Sequence, residues 1–298
     1  MSKINNDIVL FGSVESSLSA IKSIRKSKYG NLKCLVTTRN KNNNSDYVDL
    51  TLHVGDDVQI IFIEDFSINE ICSVIELNNI KIGFCVGWSY LIPKQIHSQL
   101  DLFLAYHPSP LPVGRGRNPI TWAIALGMKQ TASSFFLISD KPDAGDIVSQ
   151  KKIVIASNDT ARSLYDKIIE KIDEQVEEIL RSISNKNLFF NKQDTKLASY
   201  WRKRNDADRL IDFRMSSESI LNLVRSLGPP YVYPQISFNG IKYNVKKAST
   251  IDFVKSDFIE FGKILAVKKN TITVKTCDGA VVIELLDSFE GISEGDYL

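Results

Sequence analysis

Five short apolar runs punctuate the first third of the chain, and they leave few folds open. They are DIVLFGS (7–13), KCLVTTR (33–39), VQIIFIED (58–65), KIGFCVGW (81–88) and DLFLAYH (101–107). Each is too short for a helix and too apolar for a sheet with a wet face. Helical patterns separate some of them: one opening at Ser16 and Ser17 and running through Ile24, another near 67–78. Strands alternating with helices specify a mainly parallel sheet, because parallel neighbours need a crossover. The expected fold is therefore α/β, with an N-terminal Rossmann-like parallel-sheet domain. Ligands of such sheets sit outside the carboxyl ends of the strands. The GWSYLIP segment at 87–93 and His107 both fall there. The lone Gly12-Ser13 turn is not a GxGxxG fingerprint, so it predicts no dinucleotide site.

A further helix is expected from Asn158 or Asp159 as cap. Its apolar positions Leu164, Ile168, Ile172, Val176, Ile179 and Ile183 recur at three- and four-residue spacing. We place the first domain at 1–185, a polar linker at 186–205, and a second domain at 206–298. The second begins with a helix (Glu218 to Leu227) and the turn Gly228-Pro229-Pro230, then reads as short strands. Asn239-Gly240, flanked by alternating apolar residues, and Asp278-Gly279 mark hairpin tips. A smaller, mostly β, OB-like barrel is the expectation.

Of the 298 residues, 43% are hydrophobic and 24% charged, the balance of an ordinary globular chain. The formal net charge is +2, and residues 191–298 hold 16 basic against 14 acidic side chains. A surface built to clamp nucleic acid is normally one-sidedly basic, so a nucleic-acid partner is disfavoured. Four scattered cysteines form no CxxC pair, and three of them lie in apolar patterns, which favours buried thiols over metal or disulfide roles. The opening MSKINND leads straight into a strand, with no apolar run of about 18 residues. A cytoplasmic protein without a membrane partner is expected.

The densest chemical signal is HPSPLPVGRGRNP (107–119), followed by DAGD at 143–146. It offers a histidine at a strand end, a proline-stiffened loop, two arginines and a carboxylate 36 residues after the histidine. Alone, a strand-end histidine is often structural and an Asp-x-Gly is often only a turn. Together they resemble the formyltetrahydrofolate-dependent formyltransferases, the methionyl-tRNA formyltransferase-like family, whose signature couples HxSxLPxxRGxxP to a downstream DxGD. Within that family the chain looks nearest to the nucleotide-sugar N-formyltransferases. The resemblance is firm over 81–150 and looser elsewhere.

Formyl transfer is acyl transfer to an amine. It needs a donor aimed at the carbonyl oxygen, a base near the amine, and exclusion of water. The resemblance implies that His107 stabilises the oxygen or shuttles a proton, and that Asp143 hydrogen-bonds His107 and takes the amine proton. It implies N10-formyltetrahydrofolate as donor, with no metal. The folate ring would lie against Trp88, Ser89, Tyr90, Leu91 and Ile92, with Ile138 and Asp140 as the facing wall. Ser109, Arg115, Arg117, Asn118, Trp201, Arg202 and Tyr231 are the expected substrate residues. The aromatic and basic segments YWRKRNDADRLIDF (200–213) and PPYVYP (229–234) suit stacking on a base and pairing with phosphate.

One position departs from the family. Where it commonly carries asparagine, two residues before the histidine, this chain has Ala105. Losing such a donor typically costs about 3 kcal/mol of transition-state stabilisation. Asn118 or Ser109 are candidates to replace it. The reading is a sugar N-formyltransferase of cell-surface glycan synthesis. Methionyl-tRNA formylation, a formylfolate hydrolase and a non-catalytic folate-binding protein stay open as alternatives, as does a homodimer through the C-terminal domain.

Overall fold

The computed structural model describes residues 6–41, 44–252 and 258–298. The opening segment 1–5, and Asn42 and Asn43 of the Asn-rich run, lie outside the described residues. Two compact units emerge, and neither is a continuous piece of chain. The first comprises Met1–Pro119, Thr131–Ile153 and Tyr165–Trp201; the second comprises Ile120–Gln130, Val154–Leu164 and Arg202–Leu298.

In chain order the elements are β1 (Asp7–Phe11), α1 (Glu15–Lys26), β2 (Asn31–Thr37), β3 (Gln59–Phe62), α2 (Ile68–Leu77), β4 (Ile82–Cys85), α3 (Lys94–His97) and β5 (Leu102–His107). Then come β6 (Arg115–Gly116), α4 (Pro119–Ala125), β7 (Gln130–Leu137), β8 (Ile147–Val154), α5 (Ala161–Ser184) and β9 (Tyr200–Trp201). The rest are α6 (Ser217–Arg225), β10 (Gln235–Phe238), β11 (Ile241–Thr250), β12 (Ile264–Lys268), β13 (Thr271–Lys275) and β14 (Ala280–Leu285).

All five apolar runs become strands. They pair in the order β3-β2-β1-β4-β5, all parallel, and β7 and β8 extend the same sheet. β7 runs antiparallel to β5, so the sheet is mixed at that side. The chain leaves β1 toward β2 and β3 and returns to β4 on its other flank. That reversal opens a crevice at the carboxyl ends of β1 and β4. α2 starts with a capping box in which Ser67 and Glu70 satisfy each other's backbone donors. On α5, Leu164, Ile168, Ile172, Val176 and Ile179 are fully or almost fully buried, as their spacing requires.

Ser17 ties the crevice together. Its hydroxyl donates to Val86 O (2.6 Å) and accepts from the Ser13 and Val14 N–H groups (3.1 and 3.2 Å). Glu15 N donates to Asp46 O and Ser16 N to the Tyr165 hydroxyl. The amides at this helix start are thus taken by the protein itself. No described helix is long and apolar enough to cross a membrane.

The second unit carries the antiparallel sheet β10-β11-β14-β13-β12, with β10 and β12 at the edges of its order. It curls around a core of Ile220, Leu223 and Val224 from α6 against Ile236, Val245, Ile272, Val281 and Ile283. Phe238 pairs with Ile241, so Asn239 (φ 49°) and Gly240 (φ 80°) form a two-residue turn with both residues left-handed. The expected linker is built into the first unit as far as Trp201: β9 pairs with β6, and Asn191 exchanges two backbone hydrogen bonds with Ile147. Its polar sequence hid this, because backbone pairing needs no apolar side chain.

Ser17→Ala would leave Val86 O and two amides unpaired in a buried place. It should cost about 1–3 kcal/mol, read as a lower urea midpoint with an unchanged slope.

Candidate active site

Three prolines at 108, 110 and 112 deprive the loop after β5 of amide donors, so most of its carbonyls must find other partners. Within the loop, Val113 N serves Pro110 O (3.0 Å) and Leu111 N reaches Ser109 O (2.9 Å). Pro108 O accepts from Thr131 Oγ1 (3.4 Å), Ser109 O from Ser134 Oγ (2.6 Å) and Leu111 O from Gln150 Nε2 (3.0 Å). Pro112 O accepts from Ser199 N (3.3 Å), Val113 O from Ser109 Oγ (2.9 Å) and Gly114 O from His107 Nε2 (2.8 Å). The loop's remaining amides reach outward. Gly114 N donates to Ser199 Oγ, Arg115 N to Ser199 O, Gly116 N to Asp143 Oδ2 (2.8 Å) and Arg117 N to Trp201 O.

Two consequences follow for the chemistry. A carbonyl can only accept, so His107 Nε2 carries a proton and Nδ1 is the ring nitrogen not spent on the loop. Asp143 Oδ2 is spent on Gly116, which leaves Oδ1 for the cleft. The direct His107–Asp143 hydrogen bond that the resemblance implied is not made. Each residue is tied instead to the same Gly114–Gly116 strand, two residues apart. Glycine is required there: a Cβ on Gly116 (φ 103°) would lie 2.3 Å from Trp201 O, and one on Gly114 would strike the Trp201 ring at 2.5 Å.

A cleft of about 610 Å³ opens at these strand ends, wholly within the first unit. Trp88, Ser89, Tyr90, Leu91 and Ile92 form one side, and Ile138, Ser139, Asp140, Lys141 and Pro142 the other. Trp88, Ile92 and Ile138 rest on the sheet's apolar core. The Trp88 ring meets Phe11 edge-on (6.0 Å, 75°), and Tyr90 lies 5.1 Å from it. The Trp88 indole N–H is buried without a hydrogen-bond partner, an uncommon condition for such a donor. Ser89 Oγ donates to Asn44 Oδ1 (2.9 Å), so Asn44 helps to shape the loop. His107, Asp143 and Arg117 complete the cleft wall.

The floor beside His107 is Cys85, Ala105 and Phe136, cross-strand neighbours on β4, β5 and β7. Ala105 stood out from sequence, but Phe136, Lys94 and His97 did not; only the strand register brings Cys85 and Phe136 beside Ala105 under the cleft. Burial, and secondarily the charge of Asp143, push the Cys85 thiol up to about 12.

Several expected substrate residues sit elsewhere. Ser109 is fully buried and spends its hydroxyl on Val113 O, so it cannot replace the donor missing at Ala105. Arg115 is 2% exposed; its Nε and Nη2 meet Gln193 Oε1 and its Nη1 meets the Tyr200 hydroxyl. It braces the loop. Asn118 is exposed, left-handed (φ 55°), and does not line the cleft. Trp201 packs on Gly114 and pairs with Gly116 rather than lining the cleft. Arg202 and Tyr231 do not line it either. Arg202 belongs to the second unit, bidentate to Asp208 and stacked over Trp122 (5.1 Å), and Tyr231 closes the Gly228 turn there. Among the described residues no group of three or more His, Cys, Asp or Glu could hold a metal ion.

Residues 64–180 match the Formyl transferase family profile, and 203–291 match that of the Formyl transferase C-terminal domain. The methionyl-tRNA formyltransferase of Clostridium perfringens is 30% identical over 228 residues, 73% of this chain and 71% of that protein. Among solved structures, WlaRD, a sugar 3N-formyl transferase determined with dTDP and 5-N-formyl-THF, superposes with a TM-score of 0.68 at 18% identity, covering 95% of this chain and 98% of that one. An N-formyltransferase from Helicobacter canadensis, complexed with folinic acid and dTDP-3-aminofucose, gives 0.69 at 18% identity, with 95% and 99% covered.

Because its neutral form is favoured in the fold, Cys85 should stay a thiol at pH 8.5. Its alkylation by iodoacetamide should be at least about tenfold slower than in the urea-unfolded chain. Equal rates, resolved by peptide mapping, would contradict the packing described for the cleft floor.

Proposed function

The chain belongs to the formyl transferase family, and we propose that it moves the formyl group of N10-formyltetrahydrofolate onto the amine of a nucleotide-linked amino sugar. The observation that carries the acceptor is that five cations of the second unit are already paired. Arg202 pairs with Asp208, Arg209 and Lys242 with Asp206, Arg214 with Asp212 and Lys246 with Glu284. A surface that grips a polyanion leaves such groups for phosphate; these are answered by the protein's own carboxylates. The two sugar N-formyltransferases that superpose end to end on this chain are consistent with the same acceptor class. A second reading, methionyl-tRNA as acceptor, is favoured by the 30% identical relative.

The residues fit the proposed donor. A flat heteroaromatic ring needs an apolar slot with a few polar contacts. Trp88, Ile92 and Ile138 supply the slot, and Ser139 and Asp140 on the facing side bring polar groups to it. The donor's chemistry is a formyl carbon bound to nitrogen, ready for attack by an amine. Asp143 Oδ1 takes a proton from the amine as its nitrogen bonds to the formyl carbon. The bond from that carbon to the folate nitrogen then breaks, and the same proton passes to the leaving nitrogen, releasing tetrahydrofolate. His107, held by Gly114 O through Nε2, turns its other ring nitrogen to the negative charge growing on the formyl oxygen. Ala105 contributes nothing there, so His107 bears that charge without a second side-chain donor from β5. Arg117, exposed at the cleft wall, is available to the acceptor's phosphates.

The deciding assay is tetrahydrofolate release from formyltetrahydrofolate, with amino-sugar nucleotides, with methionyl-tRNA, and with neither. Release that requires one sugar nucleotide is the expected result. Release only with the tRNA would replace the acceptor, and release with neither would make the chain a hydrolase.

His107→Ala and Asp143→Ala should each lower turnover by about 10²-fold or more without altering the circular dichroism; near-normal turnover in either sinks the mechanism. Ala105→Asn should raise turnover, by up to the factor that one preorganised donor supplies, about 10²-fold. A fall would mean that the apolar floor is needed as it stands.

A further inference from the structure

Gln193 lies in the stretch that reads from sequence as linker, and it does not line the cleft. Yet its amide makes four hydrogen bonds that join the two loops bearing the reactive groups. Nε2 donates to Asp143 O (2.9 Å) and Gly145 O (2.7 Å). Oε1 accepts from Arg115 Nε (3.2 Å) and Nη2 (2.7 Å). The orientation is forced, since a guanidinium only donates and a carbonyl only accepts. We propose that Gln193 is a positioning residue for formyl transfer, fixing the Asp143 turn against the Arg115–Gly116 strand and so setting where Asp143 Oδ1 stands relative to His107. The inference rests on the reading that His107 and Asp143 perform the chemistry.

The surroundings leave few other ways to hold this geometry. Arg115 is buried without a carboxylate partner among the described residues, so Gln193 Oε1 and the Tyr200 hydroxyl are what hold its guanidinium. Asp143 adopts a left-handed backbone (φ 57°), uncommon for a residue with a Cβ, and its carbonyl is held there by Gln193. Gly145 is pressed on β7 so closely that a Cβ would fall 1.8 Å from Leu137 O. Gln193 itself is anchored on both sides, by the Asn191–Ile147 backbone pair and by Ser199 on the loop. The amide thus spans the Asp143 turn and the Arg115–Gly116 strand, and among the described residues Asp143 Oδ2 to Gly116 N is the other side-chain bond joining them.

Gln193→Glu separates positioning from bulk stability. A carboxylate keeps, and strengthens, the Arg115 side but cannot donate to Asp143 O or Gly145 O. Hydrogen exchange by mass spectrometry on peptides spanning 112–118 and 141–147, with kcat, KM for formyltetrahydrofolate and Tm, reads the result. We expect faster exchange at the Gly116 amide, kcat lower by at least about tenfold, KM within about twofold, and Tm close to that of the parent. Gln193→Ala should show the same kcat loss with a lower Tm. Unchanged exchange and kcat in Gln193→Glu would overturn the proposal, as would a kcat loss no larger than the loss of folded protein. Should the parent chain use no amino-sugar nucleotide, the acceptor assignment fails separately, and the exchange rates at Gly116 decide this proposal alone.

Discussion

A loop with three prolines cannot hold itself together, and the site is organised around that deficit. Residues 108–114 offer carbonyls with few amides of their own, so the sheet, the β8 strand and the 191–201 segment supply the donors. His107 is one of those donors. The bond that completes the loop's accounting also fixes the tautomer of the imidazole, so holding the loop and preparing the histidine are one act. The same holds for Asp143, whose carboxylate satisfies Gly116 with one oxygen and faces the cleft with the other.

This arrangement is rigid where it must be. The glycines at 114, 116 and 145 each sit where a methyl group would collide with Trp201 or Leu137. Arg115, one of the expected substrate residues, is sealed beneath them as a brace. Adaptable groups lie further out: Leu91 is 83% exposed, and Asp140 and Lys94 pair only loosely at 3.9 Å. Such a division, rigid reacting groups and a softer rim, suits a site that must orient two substrates closely while admitting them from solvent.

The floor at Cys85, Ala105 and Phe136 gives this chain its own character. An apolar patch strengthens every nearby charge interaction by excluding water. In the proposed reaction it would leave His107 without a neutral donor beside it, and it favours the neutral thiol of Cys85 beside Asp143.

Much of this was written in the chain. The five apolar runs, the Asn239-Gly240 turn and the apolar stripe of α5 depend on local periodicity and turn chemistry, so they can be read without the fold. His107 and Asp143 stood out because HxSxLPxxRGxxP and DxGD together resemble a family signature; a strand-end histidine or an Asp-x-Gly turn alone would not have marked them. The roles of Ser109, Arg115 and Trp201 could not be read that way. Each has a side chain suited to a ligand, and only the folded backbone shows that its capacity is already spent. Gln193 is the converse: an unremarkable residue in a polar stretch, made important by two loops that fold against it from 50 and 78 residues away. Sequence alone determined which residues could do chemistry. Tertiary structure decided which remained free to do it, because hydrogen-bonding groups are finite and distant backbone claims them first.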